Sequence, residues 1–327
     1  MPISTRFSER FGLRHPVMLA PMATVADGHL AASVTAAGGL GTVGGGYGNA
    51  DWLERELTAA GPHAACGFIT WSLAEQPHLL DLALAHAPAG LVLSFGDPAP
   101  FANAIRGAGI PLICQVQTLA LAQSALDAGA DVLVAQGAEA GGHGAARGTF
   151  ALVPAVVDLV HHQSPDTLVL AAGGIADGRG LAAGLMLGAD GVLVGSRFYA
   201  SVESPVPAEL KQRVVRTGGD QTMRTTVFDV ARGLDWPQPF DARVAGNQFT
   251  DDWHGAEAEL ARSAPAQMAR YEQAVADHDP SVAAVFTGED ADLIHEVEPV
   301  ATLIERMVHD AERTLRTAAG QCTDSAT

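Results

Sequence analysis

An eightfold alternation between residues 16 and 198 limits most strongly what this chain can fold into. Short apolar runs at Pro16–Met22, Leu40–Gly45, Ala65–Trp71, Gly90–Gly96, Pro111–Gln117, Asp131–Gly137, Leu168–Ile175 and Gly191–Phe198 read as strands. Between them lie Gly28–Ala37, Trp52–Ala60, Pro77–His86, Pro100–Ala108, Leu119–Ala128, Val153–Val160 and Asp177–Leu187, most with helical apolar spacing. Strands that are apolar throughout must be buried on both faces, as in a parallel sheet wrapped by crossover helices. Eight repeats of about 20 to 25 residues predict a closed (β/α)8 TIM barrel rather than an open doubly wound sheet. The joints Ala37-Gly38-Gly39-Leu40, Ala108-Gly109-Ile110-Pro111, Ala128-Gly129-Ala130-Asp131 and Leu187-Gly188-Ala189-Asp190 supply glycine caps before a strand.

The barrel is expected over residues 1–200. Beyond it, Ser201–Pro207 and Asp235-Trp236-Pro237-Gln238-Pro239-Phe240 break helices, whereas Leu210–Arg216, Ala266–Ala276 and Val300–Arg316 are amphipathic. A mostly helical region over 201–327 is therefore expected to pack near the barrel mouth, with Gly320–Thr327 frayed. Of 327 residues only 17% are charged, and the formal net charge is −18. Such an acidic chain, with 6% aromatics, argues against nucleic acid and anionic membranes as partners. Cys66, Cys114 and Cys322 form no CxxC, so reduced thiols are expected rather than a disulfide framework or metal site. The first residues lack an apolar signal segment and no run of 18 apolar residues occurs, so a cytoplasmic location is expected. A homo-oligomer is compatible with the sequence.

Three sets of strand ends carry chemistry. Strand six delivers Gln136 into a glycine-rich loop, Gly137-Ala138-Glu139-Ala140-Gly141-Gly142-His143, which presents one imidazole. A neutral imidazole gives or takes a proton near pH 7, so His143 is the candidate catalytic group. Strand seven ends at Gly173-Gly174 and strand eight at Gly195-Ser196. In such barrels these two loops commonly bind phosphate, because glycine backbones let several N–H groups converge on an anion. Ala20-Pro21-Met22, Thr70, Gln115 and Gln136 add a rigid backbone and neutral hydrogen-bonding groups suited to a heteroaromatic ring. No strand ends in lysine and no carboxylate pair or metal-ligand cluster is spaced for hydrolysis.

Taken together, Ala20-Pro21-Met22, Gln136 to His143, Ala172-Gly173-Gly174-Ile175 and Gly195-Ser196-Arg197-Phe198 resemble the nitronate monooxygenases, once called 2-nitropropane dioxygenases. Glu203-Ser204 and Val227-Phe228-Asp229 extend that resemblance beyond the barrel. It implies FMN, with its phosphate at Gly173, Gly174, Gly195 and Ser196 and its ring near Met22, Thr70, Gln115 and Gln136. Gly141 and Gly142 are then close-approach backbone, and His143 faces a nitronate or nitroalkane. The implied reaction oxidises that substrate with O2 to a carbonyl compound and nitrite. One departure is Thr70, where family members often carry Asn. An FMN-dependent NAD(P)H reductase, of the enoyl-acyl-carrier-protein or quinone type, is the alternative reading.

Overall fold

The computed structural model describes residues 3–321. Cys322 and the end of the tail expected to fray lie outside the described residues; Gly320 itself lies in the last turn of the helix Val300–Gln321. All eight expected strands form: β1 (Val17–Leu19), β2 (Thr42–Gly44), β3 (Ala65–Ile69), β4 (Leu91–Ser94), β5 (Leu112–Val116) and β6 (Val132–Gln136), then β8 (Leu168–Ala172) and β9 (Gly191–Val194). A short strand, β7 (Gly142–Gly144), interrupts the series. The eight pair in parallel in the order β1-β9-β8-β6-β5-β4-β3-β2. A parallel bridge between Met18 and Leu40 joins the two ends, making a (β/α)8 barrel.

Burial on both faces explains the continuous apolar runs. Val132 and Val134 of β6 and Leu168, Leu170 and Ala172 of β8 point into the barrel with Met18, Val92 and Ile113. Leu133, Ala135, Val169 and Ala171 face the surrounding helices instead. Phe7, on the N-terminal helix Arg6–Phe11, is fully buried in the interior cluster and plugs one end. Gly38, Gly109, Gly129 and Gly188 all take positive φ, from 71° to 94°, as expected of left-handed caps.

All eight strands end one to four residues before their expected ends, and two of these ends run into short helices. The third expected strand reached Trp71, but β3 ends at Ile69 and Thr70 begins the helix Thr70–Glu75. Ile69 pairs with Ser94, and the next residue on that neighbouring strand, Phe95, turns left-handed at φ 65°, so the ladder has nothing further to pair with. Likewise β9 ends at Val194 and Ser196–Tyr199 is helical.

The expected region 201–327 does not pack as one unit. It contributes β10 (Thr222–Thr225) and β11 (Asp241–Ala245), which form a three-stranded antiparallel sheet with β7 in the order β10-β11-β7. Phe228, Val244, Phe249 and Leu260 build a separate apolar cluster under this sheet. The Val300–Gln321 helix instead packs on the Gly178–Met186 helix, and its Leu303, Ile304, Met307 and Ala311 belong to the barrel's outer core. Among the described residues no helix is long and apolar enough to cross a membrane.

Candidate active site

A cavity of about 530 Å3 opens at the C-terminal ends of the barrel strands. Ala20, Pro21, Met22, Gln115, Gln136, Gly141, Gly142, His143, Gly173, Gly174, Gly195 and Ser196 all line it, so the structure brings together every expected site residue but one. Thr70 is the exception. It is 2% exposed, packs behind the wall against Gly96, and leaves its Oγ1 buried without a hydrogen-bond partner. Ending β3 at Ile69, two residues before Trp71, turns this side chain out of the mouth.

Three buried glutamines, Gln115 on β5, Gln117 just after it and Gln136 on β6, hold one another. Gln136 Oε1 accepts from Gln115 Nε2 at 3.0 Å and from Gln117 Nε2 at 2.7 Å. Gln136 Nε2 then donates to the His143 carbonyl at 3.0 Å. Strand β6 thereby fixes the backbone that carries the imidazole. Ser94, at the end of β4, lines the cavity with its buried hydroxyl unpartnered, a hydrogen-bonding group that no sequence pattern marked.

His143 does not sit in an irregular loop. It is the central residue of β7, paired with Ala242 of β11. Gly142 reaches this strand at φ 73°, where a side chain would be strained. Gly141 serves packing: a Cβ there would stand 2.6 Å from the Thr287 carbonyl carbon. His143 Nε2 is 2.9 Å from Asp229 Oδ2, on the helix Val227–Arg232, and the two side chains are 8% and 4% exposed. A carboxylate accepts only, so Nε2 carries the proton and Nδ1 keeps its lone pair. One face of the ring is covered by Trp236, stacked 6° from parallel with centroids 3.4 Å apart. Phe95 meets the imidazole edge-on at 6.3 Å, and the Trp236 Nε1–H donates to the Tyr47 hydroxyl at 3.1 Å. Burial pushes the Tyr47 phenol up, so it stays neutral.

At the other end lie the glycines that follow β8 and β9. Gly173 takes φ 99°, and a Cβ on it would come within 2.9 Å of the Gly137 carbonyl and 3.1 Å of the Ala140 nitrogen. Gly174 follows at φ 74°. Ser196 Oγ accepts the Gly288 N–H at 2.9 Å, which leaves its own proton to donate. Beside it stands Asp290, an acid lining the cavity. Neither nearby arginine serves this end. Arg179 is exposed and paired with Asp177, and Arg197 is buried on the carbonyls of Ala200 and Glu296. Glu139 caps the following helix by accepting from the Thr149 backbone and hydroxyl.

Cys66 and Cys114 are free and buried, and burial pushes the Cys114 thiol up to about 12. Among the described residues no group of His, Cys, Asp and Glu is arranged to hold a metal. Asp229, Trp236, Ser94 and Asp290 escaped the sequence reading. Of these only Asp229 had a signal, within the Val227-Phe228-Asp229 run noted above.

A family model for nitronate monooxygenase matches residues 4–87 and 76–310. The nitronate monooxygenase of Neurospora crassa is 30% identical, over 93% of this chain and 91% of its own. Nitronate monooxygenase npaC of Metarhizium robertsii is 33% identical, over 92% of each. Among solved structures, FabK from Thermotoga maritima superposes with a TM-score of 0.85 at 30% identity, covering 98% of this chain and 99% of FabK. A nitroalkane oxidase from Streptomyces ansochromogenes gives 0.79 at 26% identity, covering 94% and 98%. The mouth geometry and these likenesses converge: the chain is an oxidoreductase and belongs to the nitronate monooxygenase family.

Proposed function

We propose that the protein binds FMN and oxidises alkyl nitronates, and nitroalkanes after deprotonation, with O2 to a carbonyl compound and nitrite. The observation that carries this reading is a buried Asp229–His143 pair facing a cavity whose far end is a glycine cradle. Gly173, Gly174, Gly195 and Ser196 suit a phosphate, since crowding at Gly173 and the positive φ of both β8 glycines exclude side chains. Ser94 Oγ, unpartnered and buried, suits a flavin or ribityl group. When bound, FMN supplies the two-electron acceptor that O2 regenerates.

The protein's own part is proton handling and exclusion of water. His143 Nδ1 takes the proton from the carbon bearing the nitro group, and Asp229 stabilises the imidazolium that results. Gln136 fixes the His143 backbone, while Trp236 and Phe95 wall the ring and Tyr47 holds Trp236 in place. With a preformed nitronate the base is not needed, and it is the imidazolium form of His143 that donates from Nδ1 to a nitro oxygen.

The likeness to FabK across 98% of the chain supports a second reading, an FMN-dependent NAD(P)H reductase. An absorbance spectrum of the purified protein, followed by anaerobic stopped-flow mixing with propionate 3-nitronate and with NADH, separates the two. Bleaching of a flavin band by nitronate is the expected result. Rapid bleaching by NADH and none by nitronate would replace the first reading with the second. His143→Ala is expected to retain flavin and to lose turnover on neutral nitroalkanes most.

A further inference from the structure

Where the segment after β9 meets the short helix Glu289–Leu293, an acid stands in a place otherwise built for an anion. Gly173, Gly174, Gly195 and Ser196 are neutral. Asp290 lines the cavity beside Ser196, is 6% exposed, and keeps Oδ1 buried with no hydrogen-bond partner. As a carboxylate it would be desolvated and also face the phosphate that this end is proposed to hold, and both penalties grow in a low dielectric. As a carboxylic acid it gains an O–H donor, and a phosphate oxygen is a strong acceptor for it.

The surrounding charges do not neutralise it in any other way. Arg197, on the adjoining Ser196–Tyr199 helix, gives Nη2 to the Ala200 and Glu296 carbonyls and lies 3.6 Å from Glu298, while its buried Nε has no hydrogen-bond partner and none of its nitrogens pairs with Asp290. Glu289 is paired with Arg243 at 2.8 Å, and Asp292 accepts the Gly219 N–H. From the Ala208–Arg216 helix, Lys211 donates to the Val202 and Ser204 carbonyls and Arg213 to that of Gly246. Burial pushes the Asp290 carboxyl up to about 6; Glu289 acts in the same direction, and Ser196, the Asp290 backbone N–H and Arg197 oppose it.

Resting on the FMN reading above, we propose that Asp290 belongs to the cofactor site as a protonated carboxyl that donates to the FMN phosphate. FMN is then taken up together with one proton, which stays on Asp290. Uptake weakens as pH rises past the point where the free protein ionises this group, by up to about tenfold per pH unit.

The test is FMN binding to the deflavinated full-length protein, followed by quenching of flavin fluorescence from pH 5 to pH 8.5. Riboflavin, which lacks the phosphate, is measured beside it. In the wild type FMN affinity is expected to fall over the upper half of this range and riboflavin affinity to stay level. Asp290→Asn is expected to flatten the FMN profile and to bind FMN about tenfold more tightly than the wild type at pH 8, with riboflavin unchanged. Asp290→Ser, a second neutral side chain, should flatten it in the same way and covers the case in which the Asn variant fails to fold. Identical FMN profiles in wild type and variants overturn the proposal, as does weaker FMN binding by the variants at every pH. An equal effect on riboflavin also overturns it, because the partner would then be a ribityl hydroxyl. Failure of the wild type to take up FMN at any pH refutes the cofactor reading itself, a result distinct from all of these.

Discussion

Replacing Asp229 with Asn isolates what the buried carboxylate does for His143. The Asn amide is nearly isosteric, so the helix Val227–Arg232 and the Trp236 stack should persist. Its NH2 group can donate to Nε2, however, which favours the tautomer protonated on Nδ1 and removes the lone pair that faces substrate. The charge lost is also large. The Nε2···Oδ2 separation is 2.9 Å and the pair is 8% and 4% exposed, so screening by water is weak. Two charges about 4 Å apart at an effective dielectric of about 20 interact by roughly 4 kcal/mol. At about 1.36 kcal/mol per tenfold in rate, that is about 10³, inside the range of roughly 10² to 10⁴ typical of general-base catalysis. The assay compares flavin reduction by nitroethane and by its preformed nitronate under anaerobic stopped flow. A loss of about 10³ on the neutral nitroalkane, with under about tenfold on the nitronate, is expected on those principles. Equal losses on both substrates would instead make Asp229 a structural support and not the partner of a base.

Three further outcomes follow from the same geometry. Gly173→Ala forces a Cβ to 2.9 Å from the Gly137 carbonyl at φ 99°, so it should cost about 1–3 kcal/mol in thermal unfolding and abolish flavin retention. Trp236→Leu removes the 3.4 Å stack on His143; lost shielding predicts a lower kcat on nitroalkanes and, from the space opened, relatively better turnover of bulkier ones. Asp290 has a raised folded carboxyl, about 6 against an ordinary value near 3.9, so its protonation favours the fold. That contribution is whole below about pH 4 and is lost as pH rises through 6, which makes the ionised wild type less stable by up to roughly 3 kcal/mol. The deflavinated Asp290→Asn protein should accordingly melt above the wild type at pH 8 and alongside it at pH 4.5; a gap that does not change with pH contradicts this.

What was legible in the sequence divides along a physical line. Each barrel strand is buried on both faces, so β6 and β8 announce themselves by apolar runs, and β2, β5, β6 and β9 are marked as well by the glycines Gly38, Gly109, Gly129 and Gly188 before them. The cradle glycines were legible for the same reason, since each follows a strand directly. By contrast β7 is Gly-His-Gly and β10 is Thr-Met-Arg-Thr, three or four residues with no alternating pattern. They are strands because β11, some hundred residues after β7, pairs with both. Thr70 was misplaced because the apolar run continues past the point where the neighbouring strand turns away at Phe95. Asp290 was invisible as chemistry, and Asp229 was marked only by the family resemblance, because a single carboxylate in a short helix gives no hint that it is buried.

The illegible part is also where the imidazole acquires its character. The barrel supplies Gln136, the glycine cradle and the position of His143 over the mouth. Asp229, which sets the tautomer, and Trp236, which covers the ring, both come from residues 222–245, folded back so that β11 pairs with β7. The cradle rests on backbone geometry that tolerates little change, whereas the partners of His143 sit on a short helix and a proline-bearing loop outside the barrel. Substitutions at 229 and 236 can therefore alter which protons are moved, and for which substrates, while the glycine cradle stays intact. For the two readings of this fold, base-assisted oxidation of nitro compounds and reduction by NAD(P)H, the decisive residues are then those beside His143 and not the glycines that both readings need.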